Sequence, residues 1–307
     1  MNKQTTNTLL MVEPTRFGFN EEAFETNSFQ NRPDITEHKE IQESALTEFN
    51  AFVEQLKNYG VNVLLFRDRV DSTTPDSIFP NNWFSTHASG DLITYPMAVS
   101  NRRKERRTDI MEKLIKRNGY FCTDFSHHEW SSVYLEGTGS MIFDHARSCV
   151  YAALSPRTHE TILNEVAEKL NYEPIVFKAY GKTGELIYHT NVMMCIGRSF
   201  IAIGLDTIDK EDLPHVNEAL RNSRKDIIPL SNDQVYNHFA GNMLQVENQK
   251  GESILVLSET AHASLSEDQL SRFRMHNKYI LPVSIPTIER IGGGSARCML
   301  AEVFLPE

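Results

Sequence analysis

The chain has 307 residues, 40% hydrophobic and 23% charged, which gives enough apolar material for a sizeable core and does not suggest disorder. Its formal charge of −10 repels nucleic acid and anionic membrane surfaces over most of the exterior. No apolar stretch is long enough to span a bilayer. The polar start from Met1 to Thr8 is followed by only four apolar residues, Leu9 to Val12, so a signal peptide is not expected and a cytoplasmic location is.

In chain order, Leu9 to Val12 reads as a short strand closed by Pro14. Glu40 to Tyr59 carries apolar residues at helical spacing (Ile41, Ala45, Phe49, Phe52, Leu56) and stops at Gly60, where a C-terminal glycine belongs. Val61 to Phe66 reads as a buried strand and Leu92 to Tyr95 as another. The basic run from Asn101 to Arg107 is either a solvated helix start or a local anion site. Thr108 to Asn118 is a helix stopped by Gly119. Ser140 to Phe143 and Cys149 to Ala152 pair around a polar turn, and Ser155 to Leu170 is a helix with Ser155 as N-cap and Pro156 at its first position. Two further hairpins follow, Val192–Ile196 with Ser199–Ile203 and Met243–Glu247 with Ser253–Ser258. Helices are expected near Asp212 to Ser223 and over Ser266 to His276, and strands over Lys278 to Val283 and Arg297 to Phe304. A unit of strand, helix, strand and hairpin thus returns roughly every 45 to 65 residues, as in propeller-like or solenoid folds. No linker interrupts it, so one domain over residues 1–307 is expected.

Four segments break the strand and helix pattern. The first is Gly292-Gly293-Gly294-Ser295-Ala296-Arg297-Cys298. Consecutive glycines are costly in entropy and fit a sharp bend or a close approach to a ligand. Cys298 beyond them is either a small buried hydrophobe or a nucleophile whose thiolate a nearby cation, Arg297, would favour. Cys122, Cys149 and Cys195 lack that setting and read as core. No CxxC pair or Cys/His ligand spacing occurs, which argues for a reducing compartment and against structural zinc. His189, in Tyr188-His189-Thr190-Asn191, is either a satisfied core residue or an acid and base at a strand start. Glu136, in Leu135-Glu136-Gly137-Thr138-Gly139, sits in a tight turn either beside open space or simply solvated. Asn81-Asn82 after Pro80 reads on its own as a turn.

Together these segments resemble the guanidino-group modifying enzymes, which include arginine deiminases, dimethylarginine dimethylaminohydrolases, agmatine deiminases and arginine:glycine amidinotransferases. The resemblance runs from Met11-Val12-Glu13-Pro14 to Phe304-Leu305-Pro306, and is most specific at Gly-Gly-Gly-Ser-x-x-Cys and Leu-Glu-Gly. It points to the citrulline-hydrolase and amidinotransferase-like branch. It implies an α/β fold, the five-bladed pentein propeller of ββαβ-like units about a pseudo-fivefold axis. It also implies Cys298 as nucleophile, His189 as acid and base, and Glu136 as the carboxylate that binds substrate nitrogens. No metal or organic cofactor is implied. The expected partner is a small arginine- or citrulline-like molecule, with nucleic acid and membrane excluded and a homo-oligomer left open.

Asn82 and Asn191 match positions that are aspartates in deiminases. An amide offers a donor as well as an acceptor, which suits a neutral ureido group better than a guanidinium. Citrulline is therefore the expected substrate, with arginine, deiminated or taken through to ornithine, as the alternative. Arg102 and Arg103 resemble the arginines that hold the substrate carboxylate in the dimethylarginine branch, and Arg297 is a further candidate. Amidino transfer to an amine uses the same residues, and a non-catalytic binding protein is the third reading.

Overall fold

The computed structural model describes residues 3–33, 38–69 and 73–306; Met1 and Asn2, the start of the polar N-terminal stretch, lie outside them. The described residues form five separate three-stranded sheets. The strands β1 (Thr8–Glu13) and β2 (Asn62–Arg67) pair in parallel. Next come β3 (Phe84–Thr86), β4 (Asp91–Thr94) and β5 (Phe121–Asp124), then β6 (Ile142–Asp144), β7 (Cys149–Ala153) and β8 (Glu173–Phe177). The next two trios are β9 (Met194–Ile196), β10 (Phe200–Ile203) and β11 (Asp226–Pro229), and β12 (Leu244–Glu247), β13 (Ser253–Ser258) and β14 (Tyr279–Val283). The last strand, β15 (Ala301–Glu302), returns to pair antiparallel with β1, so one sheet is built from both ends of the chain.

Each sheet has one plan. An inner strand (β3, β6, β9, β12 or β15) pairs antiparallel with a middle strand, which pairs in parallel with an outer one. A parallel pair needs a crossover, and helices such as Thr108–Asn118, Glu160–Leu170 and Leu213–Ser223 supply it. The middle strands are near-continuous apolar runs such as Leu9-Leu10-Met11-Val12 and Phe200-Ile201-Ala202-Ile203, and they are buried. The outer strands are sheet edges. That is why Pro174, Pro229 and Pro282 are tolerated there, and why β2, expected to be buried, is half-exposed.

This architecture is the α/β pentein propeller that the resemblance implied. Three local expectations are corrected. The helix expected from Ser155 starts at Glu160, because Ser155 to Thr158 closes a turn of its own: the Ser155 hydroxyl accepts from Arg157 N and donates to Tyr188 O. The strand expected over Arg297 to Phe304 is a one-turn helix, Ala296–Met299, ahead of the short β15. Of the cysteines read as core, Cys195 is buried, but Cys149 is half-buried and Cys122 exposed, both on strands.

Candidate active site

Every inner strand is preceded by a tight turn, and the turns recur roughly 54 residues apart: Pro80–Asn82, Gly137–Ser140, Thr190–Val192, Ala240 to Asn242, and Ala296–Met299. Because the five units face one axis, these turns converge. Thr138 Oγ1 donates to Asn81 O, Thr190 Oγ1 to Ser140 O, and Asn242 Nδ2 to Asn191 O. Three of the sequence segments singled out for chemistry therefore meet because of the repeat, and the fourth, around Cys298, closes the ring.

Glu136 and His189 form the centre of the cluster. The Glu136 side chain is fully buried, not solvated: Oε1 accepts from Ala98 N at 3.0 Å and Oε2 from His189 Nε2 at 2.8 Å. Burial alone would raise its pKa, but Arg157, 3.5 Å away, and the His189 hydrogen bond hold the carboxyl well below the usual range. Burial pushes His189 down to about 4 despite the pull of Glu136, so the imidazole is neutral at neutral pH. Nε2 then carries the proton donated to Glu136, and Nδ1 is left as an acceptor. Gly139 is needed beside it, since a Cβ there would stand 2.4 Å from Asn82 Nδ2 and 2.7 Å from His189 Nδ1.

Cys298 is 4% exposed, and its sulfur accepts from Asn242 Nδ2 at 3.2 Å and Asn191 Nδ2 at 3.4 Å. It lines a cavity with His189, Asn82, Arg102, Arg157 and Asp76. Arg102, 3% exposed, makes a two-pronged ion pair with Glu105 and donates to Asn82 Oδ1 at 2.8 Å and to Phe79 O. Burial, which alone would lower its pKa, is outweighed by Glu105 and Asp76, so the guanidinium stays charged. Asp76 Oδ2 accepts from Asn20, while its buried Oδ1 has no hydrogen-bond partner. Burial raises its pKa, against the pull of Arg102. Further polar atoms are buried without a partner at these turns, among them Asn82 Nδ2 and Asn191 Oδ1.

A strap of chain covers this cavity. Arg157 donates to Ala23 O and Thr26 Oγ1, Asn27 Nδ2 to Gly293 O, and Gln30 Nε2 to Gly292 O. Gly293 has φ +60°, and a Cβ on it would press into Asn27 and Gln30. The space left is about 10 Å³, room for about one water. Among the described residues, no group of three or more His, Cys, Asp or Glu side chains is placed to hold a metal ion.

Of the eight residues singled out from sequence, six gather here: Cys298, His189, Glu136, Asn82, Asn191 and Arg102. Two do not. Arg103 donates to the backbone oxygens of Met97 and Ala98 and lies beside Glu129, outside the cavity. Arg297 turns away from the sulfur to bond Leu300 O and pair with Glu302, so it is not the cation beside the thiol. Asp76, Arg157 and Asn242 were missed. Arg157 was hidden inside a misplaced helix start, and Asn242 occupies the one lead-in turn whose sequence, Ala240-Gly241-Asn242, carries no conspicuous motif.

Fold and site together define a class: a pentein of the guanidino-group modifying kind, a hydrolase of carbon–nitrogen bonds. The chain belongs to the family described as N,N dimethylarginine dimethylhydrolase, eukaryotic, whose model matches residues 13–305. Among solved structures it is similar to the substrate-bound N-terminal domain of ArgZ, an arginine dihydrolase from the ornithine-ammonia cycle in cyanobacteria. That match has 15% identity and a TM-score of 0.75 over 97% of this chain and 98% of that one. AgrE in binary complex with L-arginine gives 15% and 0.76, over 97% of this chain and 40% of AgrE. The DDAH of Pseudomonas aeruginosa complexed with citrulline gives 16% and 0.66, over 99% and 100%. No curated protein matches the chain significantly. Among the described residues no helix is long and apolar enough to cross a membrane.

Proposed function

We propose that the chain hydrolyses the ureido carbon of citrulline to give ornithine, through a covalent intermediate on Cys298. The observation that carries this reading is one cavity lined by Cys298 and His189 together with Arg102, Arg157 and Asp76. Two guanidinium groups suit an α-carboxylate, and the unpartnered Oδ1 of Asp76 suits an α-ammonium. A zwitterionic head held there would direct its side chain toward the sulfur.

In the proposed reaction, Cys298 loses its proton to neutral His189 and its thiolate attacks the ureido carbon. His189 returns the proton to Nδ of the substrate as the carbon–nitrogen bond breaks, so ornithine leaves and a carbamoyl thioester remains. His189 then takes a proton from water, whose oxygen attacks the thioester. The carbamate formed decomposes to ammonia and carbon dioxide, and the thiol is restored. Glu136 keeps His189 oriented and offsets its transient positive charge.

The preference for a neutral substrate is supported by the two asparagines. Arg102 fixes Asn82 with its oxygen inward, leaving Nδ2 free, while Asn191 gives Nδ2 to the sulfur and leaves Oδ1 free. One spare donor and one spare acceptor match a ureido group. A guanidinium, which only donates, would leave the Asn82 donor unmet, and burying it with two fewer anions than a deiminase offers costs several kcal/mol. A second reading, arginine taken through to ornithine, draws on the likeness to ArgZ and AgrE and on the buried, ionised Glu136.

The test is a panel of citrulline, arginine, agmatine and dimethylarginine with wild type and Asn82→Asp, following ornithine and ammonia with and without added glycine. Wild type should favour citrulline, and the aspartate variant should move toward arginine. Turnover of cationic substrates alone, with Asn82→Asp making no difference, refutes the amide reading. Ornithine formation that strictly requires glycine would make the chain an amidinotransferase.

A further inference from the structure

We infer that Asn242 is a positioning residue for Cys298: one face of its carboxamide pins the backbone that carries the cysteine, and the other face keeps an N–H donor on the sulfur. This rests on Cys298 being the nucleophile. Asn242 is fully buried and its amide is fully used. Oδ1 accepts from Arg297 N at 3.0 Å and Cys298 N at 3.4 Å, while Nδ2 donates to Asn191 O at 3.0 Å and Cys298 Sγ at 3.2 Å. The orientation is therefore fixed, because a flipped amide would set its NH₂ against two backbone N–H donors and its oxygen against a carbonyl.

A sulfur 4% exposed has little water to stabilise its negative charge, and the adjacent cation, Arg297, is engaged elsewhere. Arg102 and Arg157 line the same cavity, but the groups that donate directly to the sulfur are neutral N–H donors. Two are present, on Asn191 and Asn242. They are not equivalent, since Asn191 Oδ1 has no partner and leaves that amide the less constrained of the two. Asn242 has no such freedom, so it keeps its N–H on the sulfur through every step of a reaction that forms and breaks the bond to carbon.

Asn242→Asp separates the two faces of this role. It keeps an oxygen for the two backbone N–H groups but turns an oxygen, not an N–H, toward the sulfur. Alkylation of Cys298 by iodoacetamide at pH 7 should slow about tenfold or more, its pH profile should move upward, and kcat should fall with KM little changed. Alkylation with the wild-type rate and profile would overturn the inference. Alkylation needs no substrate, so this outcome is independent of whether citrulline is turned over. Should the variant not fold, wild-type protein labelled with 15N-asparagine decides. Two side-chain amide pairs should shift as the thiol titrates and stop shifting in Cys298→Ser, and fewer than two would also overturn it.

Discussion

The inner strands run between two buried polar clusters, and each holds an arginine that is almost fully buried. At the lead-in turns, Arg102 opens on a cavity with Cys298, beside an unpartnered carboxylate oxygen on Asp76. At the far end, Arg297 is spent on Leu300 O and Glu302, in a space it shares with His145, Gln4 and Gln245. Residue type and burial are the same, and they do not separate a ligand-binding arginine from a structural one. A buried polar atom without a partner does not separate them either, since Gln4 Oε1 stands beside Arg297. What separates them is the thiol that shares each cavity, Cys298 with two amide N–H donors on its sulfur against Cys195, whose thiol burial pushes up.

The sharpest break in that comparison is Cys298→Ser, which should lower turnover about 10⁴-fold or more while leaving the fold intact, as read by initial rates and thermal unfolding. Arg297→Met should do the reverse. It strands a half-buried Glu302, costing about 1–3 kcal/mol of stability in urea unfolding, with KM near that of wild type. Arg102→Lys keeps the charge but loses the fork, so kcat/KM for a substrate with an α-carboxylate should fall about 10- to 100-fold. Agmatine, which lacks that group, should be less affected.

A smaller effect comes from protons. His87, packed against Phe143 and His145, is buried and pushed down to about 4 by burial, despite Asp91. Between pH 6.5 and 4 the unfolded chain takes up a proton at this residue that the native chain refuses, so stability falls as pH falls through that window. His87→Gln should flatten the fall by about 1.4 kcal/mol per pH unit, measured by denaturant titrations across the range. Arg103→Ala, outside the cavity, should change KM least of all; a large rise would place the carboxylate site where the sequence first suggested it.

How much of this could be read from sequence follows the same division between inside and edge. The middle strands were legible because both of their faces are covered and they read as unbroken apolar runs, as in β10 and β13. The outer strands β5, β8 and β11 were not, since an edge strand such as Phe121-Cys122-Thr123-Asp124 is largely exposed and need not be apolar, and Glu173-Pro174 looks like a break. Cys298, His189 and Glu136 were legible through their glycine-rich or polar settings at the ends of strands. Arg157 and Asp76 were not, because each is placed by a turn whose contacts are with residues far away in sequence, Ala23 and Thr26 for one and Asn20 for the other. Arg297 was misjudged because adjacency in sequence was taken for adjacency of side chains.

The pairing of β15 with β1 has a consequence for how the molecule is made. The strand next to the nucleophile must find a partner about 290 residues earlier, so the ring cannot close until the ribosome has released nearly the whole described chain. Until then the middle strand β1 exposes an apolar edge, and the sulfur has neither its amides nor its cavity. Synthesis should therefore yield an inert chain that gains its chemistry in one late step, with chaperone capture of β1 as the competing fate.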